Sequence, residues 1–300
     1  MHVERDFDGP RAGARWGARL EADRWGRTFV QLGSIEALIE GEPSGLSLGR
    51  LVDVELVREA IPEPGRMRPG KARVLGTGAR LGELQPGPGL ASRLAGVSPG
   101  FPEPVGEAWA EAWEAAETGM LAIPGGRLLM VPTPALLAID IDGTPAPAEA
   151  ARSIARAIRL FGLSGNIAID FPTRAGKSWR QDAAAAFDAE MGALAFERTA
   201  INGFGLLQVV RPRPRASILD RAMLARDEGA ALALLGQALR EPRPGGLQLV
   251  ARPAIIGRLK SVPALVAALE AKAGRRVDLV VDPSAGEGHV RIRDNAAAED

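Results

Sequence analysis

The chain of 300 residues contains no cysteine and only two histidines. The absence of cysteine excludes disulfide bonds, thiolate zinc sites and cysteine nucleophiles. His2 and His289 lie near the two ends of the chain, which argues against a catalytic Ser-His-Asp triad. Enzyme classes that depend on a thiol or on such a triad are therefore not expected here.

Long apolar segments are also missing, because no run approaches the roughly 20 residues that a membrane span requires. The chain begins with the polar and acidic sequence MHVERD, which is unlike a signal peptide. Basic and acidic residues number 37 each, so the formal net charge is zero. This balance argues against binding a polyanion over the whole surface but leaves a local basic groove open. We expect a soluble, cytoplasmic protein with no membrane span.

The chain does have enough apolar residues for a packed core, since 46% are hydrophobic and 25% are charged. Its length suits about two domains of ~100–200 residues each. Short alternating segments over residues 12–74 predict a small β-barrel. Glycine and proline are frequent over residues 76–104, and this composition predicts a linker.

The remainder of the chain predicts alternating helices and strands. Up to residue 211 the predicted elements are a helix over 104–118, a hairpin of strands 127–131 and 135–142, a helix over 147–161, a strand over 166–171, a helix over 182–192 and a strand over 205–211. After these we predict a helix over 221–240, a joint at 242–246, a strand over 247–251, a helix over 263–273 and strands over 277–281 and 289–292. Trp109 and Trp113 lie one helical turn apart, which favours packing in one apolar stripe over stacking on bases.

Carboxylates follow two apolar segments of this central region. The sequence AIDIDGT over residues 138–144 places Asp140 and Asp142 on one face of a strand, and IAIDF over 167–171 places Asp170 at the matching position. Because a single helix connects the two segments, we expect parallel strands whose carboxyl ends meet where open α/β sheets bind ligands. Two such carboxylates suit Mg²⁺. Aspartates at strand ends also cap helices and turns, so the spacing alone leaves both interpretations open.

The sequence DIDGT over residues 140–144 resembles the signature of haloacid-dehalogenase-type phosphatases. That resemblance implies Asp140 as the phosphoryl-accepting nucleophile and Asp142 as a general acid, assisted by Mg²⁺. The second acidic pair of that family has no clear counterpart, because Asp282 is followed by proline. This function is therefore the second alternative.

A longer resemblance is to the ribonuclease E/G family. Its catalytic subdomain is similar to these blocks, in order: GGRLLM (125–130), ALLAID (135–140), EAARSIARAIRL (149–160), LSGNIAIDF (163–171) and FGLL (204–207). The flanks agree, since the N-terminal strands resemble the S1 (OB-type) RNA-binding domain of that family and residues 247–292 resemble its small C-terminal domain.

The resemblance implies an α/β (α+β multidomain) fold. Its expected parts are an S1/OB-like barrel over 1–75, a linker and helix with a degenerate sensor region over 76–120, an RNase-H-like catalytic α/β subdomain over 121–215 and a small α/β domain over 216–300. The zinc-link cysteines are missing, so a zinc-joined tetramer is not expected and a homodimer stays open.

The activity implied by the resemblance is Mg²⁺-dependent endonucleolytic cleavage of single-stranded RNA by metal-activated water. Asp140 and Asp170 would hold the metal ion. Asp142 occupies a position where the family commonly has asparagine, a group that helps place the water or the scissile phosphate, and it is the third candidate catalytic residue. An RNA-binding protein that kept the fold and lost efficient catalysis is the alternative from another functional class.

The resemblance also gives candidate contacts to RNA. Phe29 occupies the place of an S1 aromatic that stacks on a base, with a barrel-core role as the alternative. Arg58 lies in a segment that resembles a late S1 strand. Arg211, Arg213 and Arg215 alternate with prolines and could line a phosphate groove or form a solvated edge.

Overall fold

The computed structural model describes residues 9–22, 26–41, 45–93, 95, 106–172, 174 and 176–293. The chain forms two compact units, with the division between Leu224 and Ala225. The fold of the described residues is mixed α/β, with sheets of seven, six and two strands in the first unit and a three-stranded sheet in the second. No helix among the described residues combines the length and the apolar character needed to cross a membrane.

The first sheet is a curled, mostly antiparallel sheet of the larger unit. Strands β1 to β9 are Arg15–Arg19, Glu21–Ala22, Thr28–Leu32, Ile35–Ile39, Leu51–Arg58, Ile61–Glu63, Arg66–Arg68, Gly70–Thr77 and Gly82–Gln85. The order in the sheet is β2-β3-β4-β8-β5-β1-β9, while β6 and β7 form a separate hairpin. The pair β4 and β8 is parallel, and β1 contacts β3 as well as pairing with β5 and β9.

Alternation of apolar and polar residues gives this sheet one buried face. In β5, Val52, Val54 and Leu56 are fully buried, while the residues between them are partly exposed. The buried set packs with Val30 and Leu32 of β3 in one core. The prediction of short strands over residues 12–74 is confirmed.

The predicted linker over 76–104 is wrong in its first part. Residues Gly82–Gln85 form β9, which pairs with β1, and Leu90–Arg93 form the short helix α1. Backbone hydrogen bonds to β1 hold this strand although its side chains are partly or fully exposed, so it carries no apolar signal in the sequence. Residues 96–104 lie outside the part of the chain that the structure describes.

The second sheet of the larger unit carries most of the predicted α/β segment. Its elements in chain order are α2 (Gly106–Thr118), β10 (Met120–Ile123), β11 (Gly126–Pro132), β12 (Leu137–Gly143), α3 (Pro147–Phe161), β13 (Gly165–Asp170), α4 (Ser178–Met191), β14 (Glu197–Arg198) and β15 (Leu206–Arg211). The strand order is β10-β11-β12-β13-β15-β14, and β12 pairs with β13 in parallel while the other described pairs are antiparallel. The predicted hairpin, crossover helix and parallel strand are confirmed.

Helix α3 buries one face against this sheet. Pro147 is suited to the first helical turn, and Gly162 ends the helix in the left-handed region at φ 63°. Ile154, Ile158 and Phe161 are fully buried and share a core with the odd-numbered residues of β12 and β13. The even-numbered residues of those strands therefore lie on the opposite face, where Asp140 and Asp170 are exposed.

The two tryptophans of helix α2 have different surroundings. Trp113 packs against the core of this sheet, as the apolar-stripe interpretation predicts. Trp109 is exposed, and its ring stacks on that of Trp113 with centroids 6.4 Å apart.

The segment predicted as one helix over 221–240 is divided. Asp220–Leu224 form a π-helical turn whose buried Ala222 packs in the core of the larger unit, and α5 then begins at Arg226. The second unit contains α5 (Arg226–Arg240), β16 (Gly246–Ala251), α6 (Pro253–Ser261), α7 (Pro263–Ala273), β17 (Val277–Val281) and β18 (His289–Arg293). Strand β16 pairs in parallel with β17 and antiparallel with β18. The joint predicted at 242–246 thus lies inside this unit, between α5 and β16.

Candidate metal-binding site at the ends of two parallel strands

Asp140 and Asp170 are direct register partners in the parallel pair β12 and β13. Register partners on neighbouring strands have backbones about 4.8 Å apart and project their side chains to the same face. Both residues are exposed, and neither carboxylate has a hydrogen-bond or ion-pair partner among the described residues. Two carboxylates thus lie side by side with their oxygens open to solvent.

An open cleft of about 330 Å³ surrounds these carboxylates. It is lined by the ends of both strands and the residues that follow them, namely Asp140, Ile141, Asp142, Gly143, Asp170, Phe171 and Pro172. The accessible surface of the cleft is mostly polar, and the cleft is open to solvent. The described residues contain no cluster of three or more histidine, cysteine, aspartate or glutamate side chains that could hold a metal ion.

Asp142 differs from Asp140 and Asp170 because a cation neutralises it. Arg127 of β11 is its register partner, and Nε and Nη2 of Arg127 lie 2.9 Å and 2.7 Å from Oδ2 of Asp142. Both side chains are about half exposed, so the pair contributes little to stability, about 0–1 kcal/mol. The main effect of the pair is that Arg127 offsets the negative charge of Asp142 on the strand face that also carries Asp140.

Sequence reasoning missed Arg127, although the sequence contains the signal. Thr133 and Leu136 close the hairpin between β11 and β12, with the Thr133 N–H donating to the Leu136 carbonyl at 2.9 Å. Counting outward from that turn in an antiparallel register pairs residue 127 with residue 142.

A glycine explains why β11 can approach the site so closely. A Cβ on Gly126 would lie 2.0 Å from the carbonyl oxygen of Asp142, so a side chain there would force the two strands apart. The Gly-Gly sequence at 125–126 therefore has a steric role in the hairpin that carries Asp142.

Phe29 lies on the outer face of the curled sheet. Its neighbours Val30 and Leu32 are fully buried in the barrel core, whereas Phe29 is half-buried and pairs in register with Leu38 and Glu21. The barrel-core alternative for Phe29 is wrong, because the alternation of β3 points residues 30 and 32 inward.

Arg211, the last residue of β15, and Arg213, which follows it, have partners within the protein. Arg211 donates to the carbonyl oxygens of Leu163 and Ala195, and burial lowers its pKa. Nη2 of Arg213 lies 3.0 Å from Oδ2 of the buried Asp220. Both arginine side chains are partly buried and do not form a freely solvated edge, although Nε of Arg213 has no hydrogen-bond partner among the described residues.

Arg58 and Arg215 each lie beside other arginine side chains of the larger unit. Burial, together with Arg68 and Arg213, lowers the pKa of Arg58, whose Nη2 donates to the Pro69 carbonyl at 2.8 Å. Burial and the neighbouring Arg93 likewise lower the pKa of Arg215. Both guanidinium groups stay charged, since arginine does not lose its proton in proteins.

The geometry thus brings Asp140, Asp142 and Asp170 to one cleft. The lining of that cleft does not include the other predicted site residues Arg58, Arg211, Arg213 and Arg215.

No protein-family model matches this chain, and no curated protein matches its sequence.

Proposed function

We propose that this protein is a Mg²⁺-dependent endoribonuclease that cleaves single-stranded RNA. The observation that carries the proposal is the register pairing of Asp140 with Asp170 at the exit of two parallel strands, with both carboxylates unpartnered among the described residues and in an open cleft. Cation-assisted phosphoryl chemistry is a common use of two adjacent carboxylates that are open to solvent.

The donor set fits Mg²⁺. This ion is commonly held by one or two carboxylates and completes its coordination with water and substrate phosphate oxygens. Asp140 and Asp170 supply two carboxylates, and the open cleft leaves room for water and a phosphate. When bound, Mg²⁺ stabilises negative charge on a phosphate and lowers the pKa of a coordinated water.

The residues of the chain have separate tasks in this proposal. Asp140 and Asp170 hold the cation at the floor of the cleft. Arg127 balances Asp142, so the third carboxylate does not repel an approaching phosphate as strongly as a free one would. Because the cleft is open, the scissile phosphate of an extended single strand can reach the paired carboxylates.

The curled sheet supports the RNA part of the proposal. Strands β1, β3, β4, β5 and β8 follow the order β3-β4-β8-β5-β1, with contact between β1 and β3. A small curled barrel with a Greek-key order is the architecture of OB-type domains, which bind single strands on their outer face. Phe29 on that outer face is then a base-stacking candidate.

Cleavage of 5′-labelled single-stranded RNA in Mg²⁺ tests the proposal. We expect internal cuts by the wild-type protein and their loss, by at least ~100-fold in rate, in Asp140→Asn and Asp170→Asn, because each removes a charged ligand from a two-carboxylate site. Chelation of Mg²⁺ should also abolish cutting.

Asp182→Asn is the matched control, since Asp182 is an exposed carboxylate on α4 of the same unit. It should cut at the wild-type rate, and circular dichroism should show that all variants are folded. Full cutting by either Asp140→Asn or Asp170→Asn would refute the proposed site. RNA binding without any cutting by the wild type would favour the binding-protein alternative.

The phosphatase alternative makes a different demand on Asp142. A general acid donates its proton to the leaving group, and in this structure Oδ2 of Asp142 contacts the Arg127 guanidinium. Hydrolysis of a small phosphate ester with a phosphoryl group trapped on Asp140 would nevertheless establish that activity and overturn the nuclease.

A further inference from the structure

Phe204 is the most exposed large hydrophobic side chain among the described residues, at 85% of its maximum accessible area. Burying a phenylalanine side chain is worth roughly 1.5–3 kcal/mol, and this ring gains almost none of that in the fold. The turn that carries it consists otherwise of the exposed polar and small residues Asn202 and Gly203.

The turn is built without help from the phenyl ring. Oδ1 of Asn202 accepts the backbone N–H of Phe204 at 2.9 Å and that of Leu206 at 3.0 Å. The N–H of Gly205 donates to the carbonyl of Asn202 at 3.2 Å. The backbone of residue 204 is therefore held by Asn202, and it presents the ring to solvent.

This turn is locked onto the candidate site. The Phe171 N–H donates to the Gly205 carbonyl at 3.1 Å, and Phe171 lines the cleft that contains Asp140 and Asp170. Gly205 has φ +93°, and a Cβ on it would lie 2.4 Å from the Phe171 carbonyl oxygen, so only glycine permits this approach. Leu206, two residues after Phe204, is the register partner of Asp170.

We propose that Phe204 stacks on a nucleobase of the RNA strand whose phosphate lies at the paired carboxylates. An exposed ring on a fixed backbone offers one flat apolar face, which is the surface that single-strand-binding proteins present to bases. Because its neighbours Asn202 and Gly203 are polar or small, the ring suits one planar base better than an apolar protein interface, which buries about 800 Å² on each partner. This inference rests on the proposed single-stranded RNA substrate.

Binding of a fluorescein-labelled ten-residue oligoadenylate RNA tests the inference. All proteins carry Asp140→Asn so that the probe is not cut, and fluorescence anisotropy gives Kd. We expect Phe204→Ala to raise Kd at least ~5-fold, since a base stacked on an aromatic contributes about that much or more. Phe204→Trp should bind as tightly as the parent or more tightly.

Two controls separate stacking from other effects. Leu81→Ala removes an exposed apolar side chain of the curled-sheet segment, at 57% exposure, and should leave Kd unchanged. An abasic oligomer of equal length should bind the Phe204→Ala protein and its parent equally, because no base is available to stack.

The outcomes distinguish this inference from the proposed function. RNA cutting by the wild type together with an unchanged Kd in Phe204→Ala would overturn the stacking role and leave the nuclease standing. RNA binding that weakens in Phe204→Ala while the wild type never cuts would support stacking and refute catalysis. Wild-type protein that neither binds nor cuts RNA, or that self-associates through Phe204 in sedimentation, would overturn the inference.

Discussion

At the scale of single residues, Asp142 is distinguished from its neighbours by its partner. Arg127 contacts the Asp142 carboxylate through two nitrogens, whereas Asp140 and Asp170 have no such cation within the described part of the chain. The three carboxylates therefore have different surroundings although the sequence presents them alike. Two suit a cation, and the third holds an arginine beside the cleft.

Replacing Asp142 by asparagine tests this distinction. We expect Asp142→Asn to keep RNA cleavage and to raise kcat/KM by up to about 5-fold, because the freed Arg127 guanidinium can approach a phosphate and an exposed pair holds it by no more than about 1 kcal/mol. Cleavage of labelled RNA by the variant and by the wild type, under equal Mg²⁺, gives the ratio.

The double variant Asp142→Asn with Arg127→Ala is the control for that prediction. It should lose any gain, since no guanidinium is left to contact the phosphate. Loss of all phosphoryl chemistry in Asp142→Asn alone would contradict our assignment, because the phosphatase alternative requires a proton from that carboxylate.

At the scale of elements, Gly126 sets the distance between β11 and β12. A Cβ would overlap the Asp142 carbonyl, so Gly126→Ala must displace a central hairpin of the second sheet. We expect a loss of roughly 1–3 kcal/mol in the free energy of unfolding, the usual cost of forcing an extra carbon into a packed site. Urea denaturation followed by circular dichroism measures it.

Gly76→Ala is the matched control for Gly126→Ala. Gly76 also lies in a strand of the larger unit, but a Cβ there would meet nothing within 4 Å. Its free energy of unfolding should change by less than ~0.5 kcal/mol. An equal loss in both variants would mean that the cost does not come from contact with Asp142.

The helices and strands differ in how well they can be predicted from the sequence. Helix α3 and its two strands could be predicted because their apolar spacing is regular and one helix must cross between parallel neighbours. Strand β9 could not, since its side chains are partly or fully exposed and its backbone bonds leave no apolar pattern. The π-helical turn at Asp220–Leu224 was missed because its burial depends on the core of the larger unit.

Side-chain partners were the least predictable part of the site. The pairing of Asp140 with Asp170 follows from a short crossover, and that of Arg127 with Asp142 follows from counting along a hairpin. The ion pair of Arg213 with Asp220 depends on how a loop folds over its own sheet, which no local pattern records.

At the scale of the whole molecule, the candidate residues all belong to one of the two units. The paired carboxylates, Arg127, Phe204 and the curled sheet lie before residue 225, and each unit has its own apolar core. The chemistry proposed here thus needs no side chain from the second unit.

A protein that ends at Leu224 should therefore still cut RNA. We expect its kcat/KM to stay within about 3-fold of the full chain, because separate cores make the two units largely independent in stability. The same truncated protein with Asp170→Asn is the inactive control. A folded truncated protein without activity would show that residues after 224 take part in catalysis.

The register of β12 and β13 also has a cost for the fold. Like charges on directly opposite residues destabilise a sheet by about 0.2–1 kcal/mol, and Asp140 faces Asp170 in this way with no cationic partner among the residues that the structure describes. A chain optimised for stability alone would replace one of them. Asp140→Asn should accordingly melt slightly above the wild type in the absence of Mg²⁺, and added Mg²⁺ should close that gap. The pairing of the two carboxylates thus lowers the stability of the sheet that carries them.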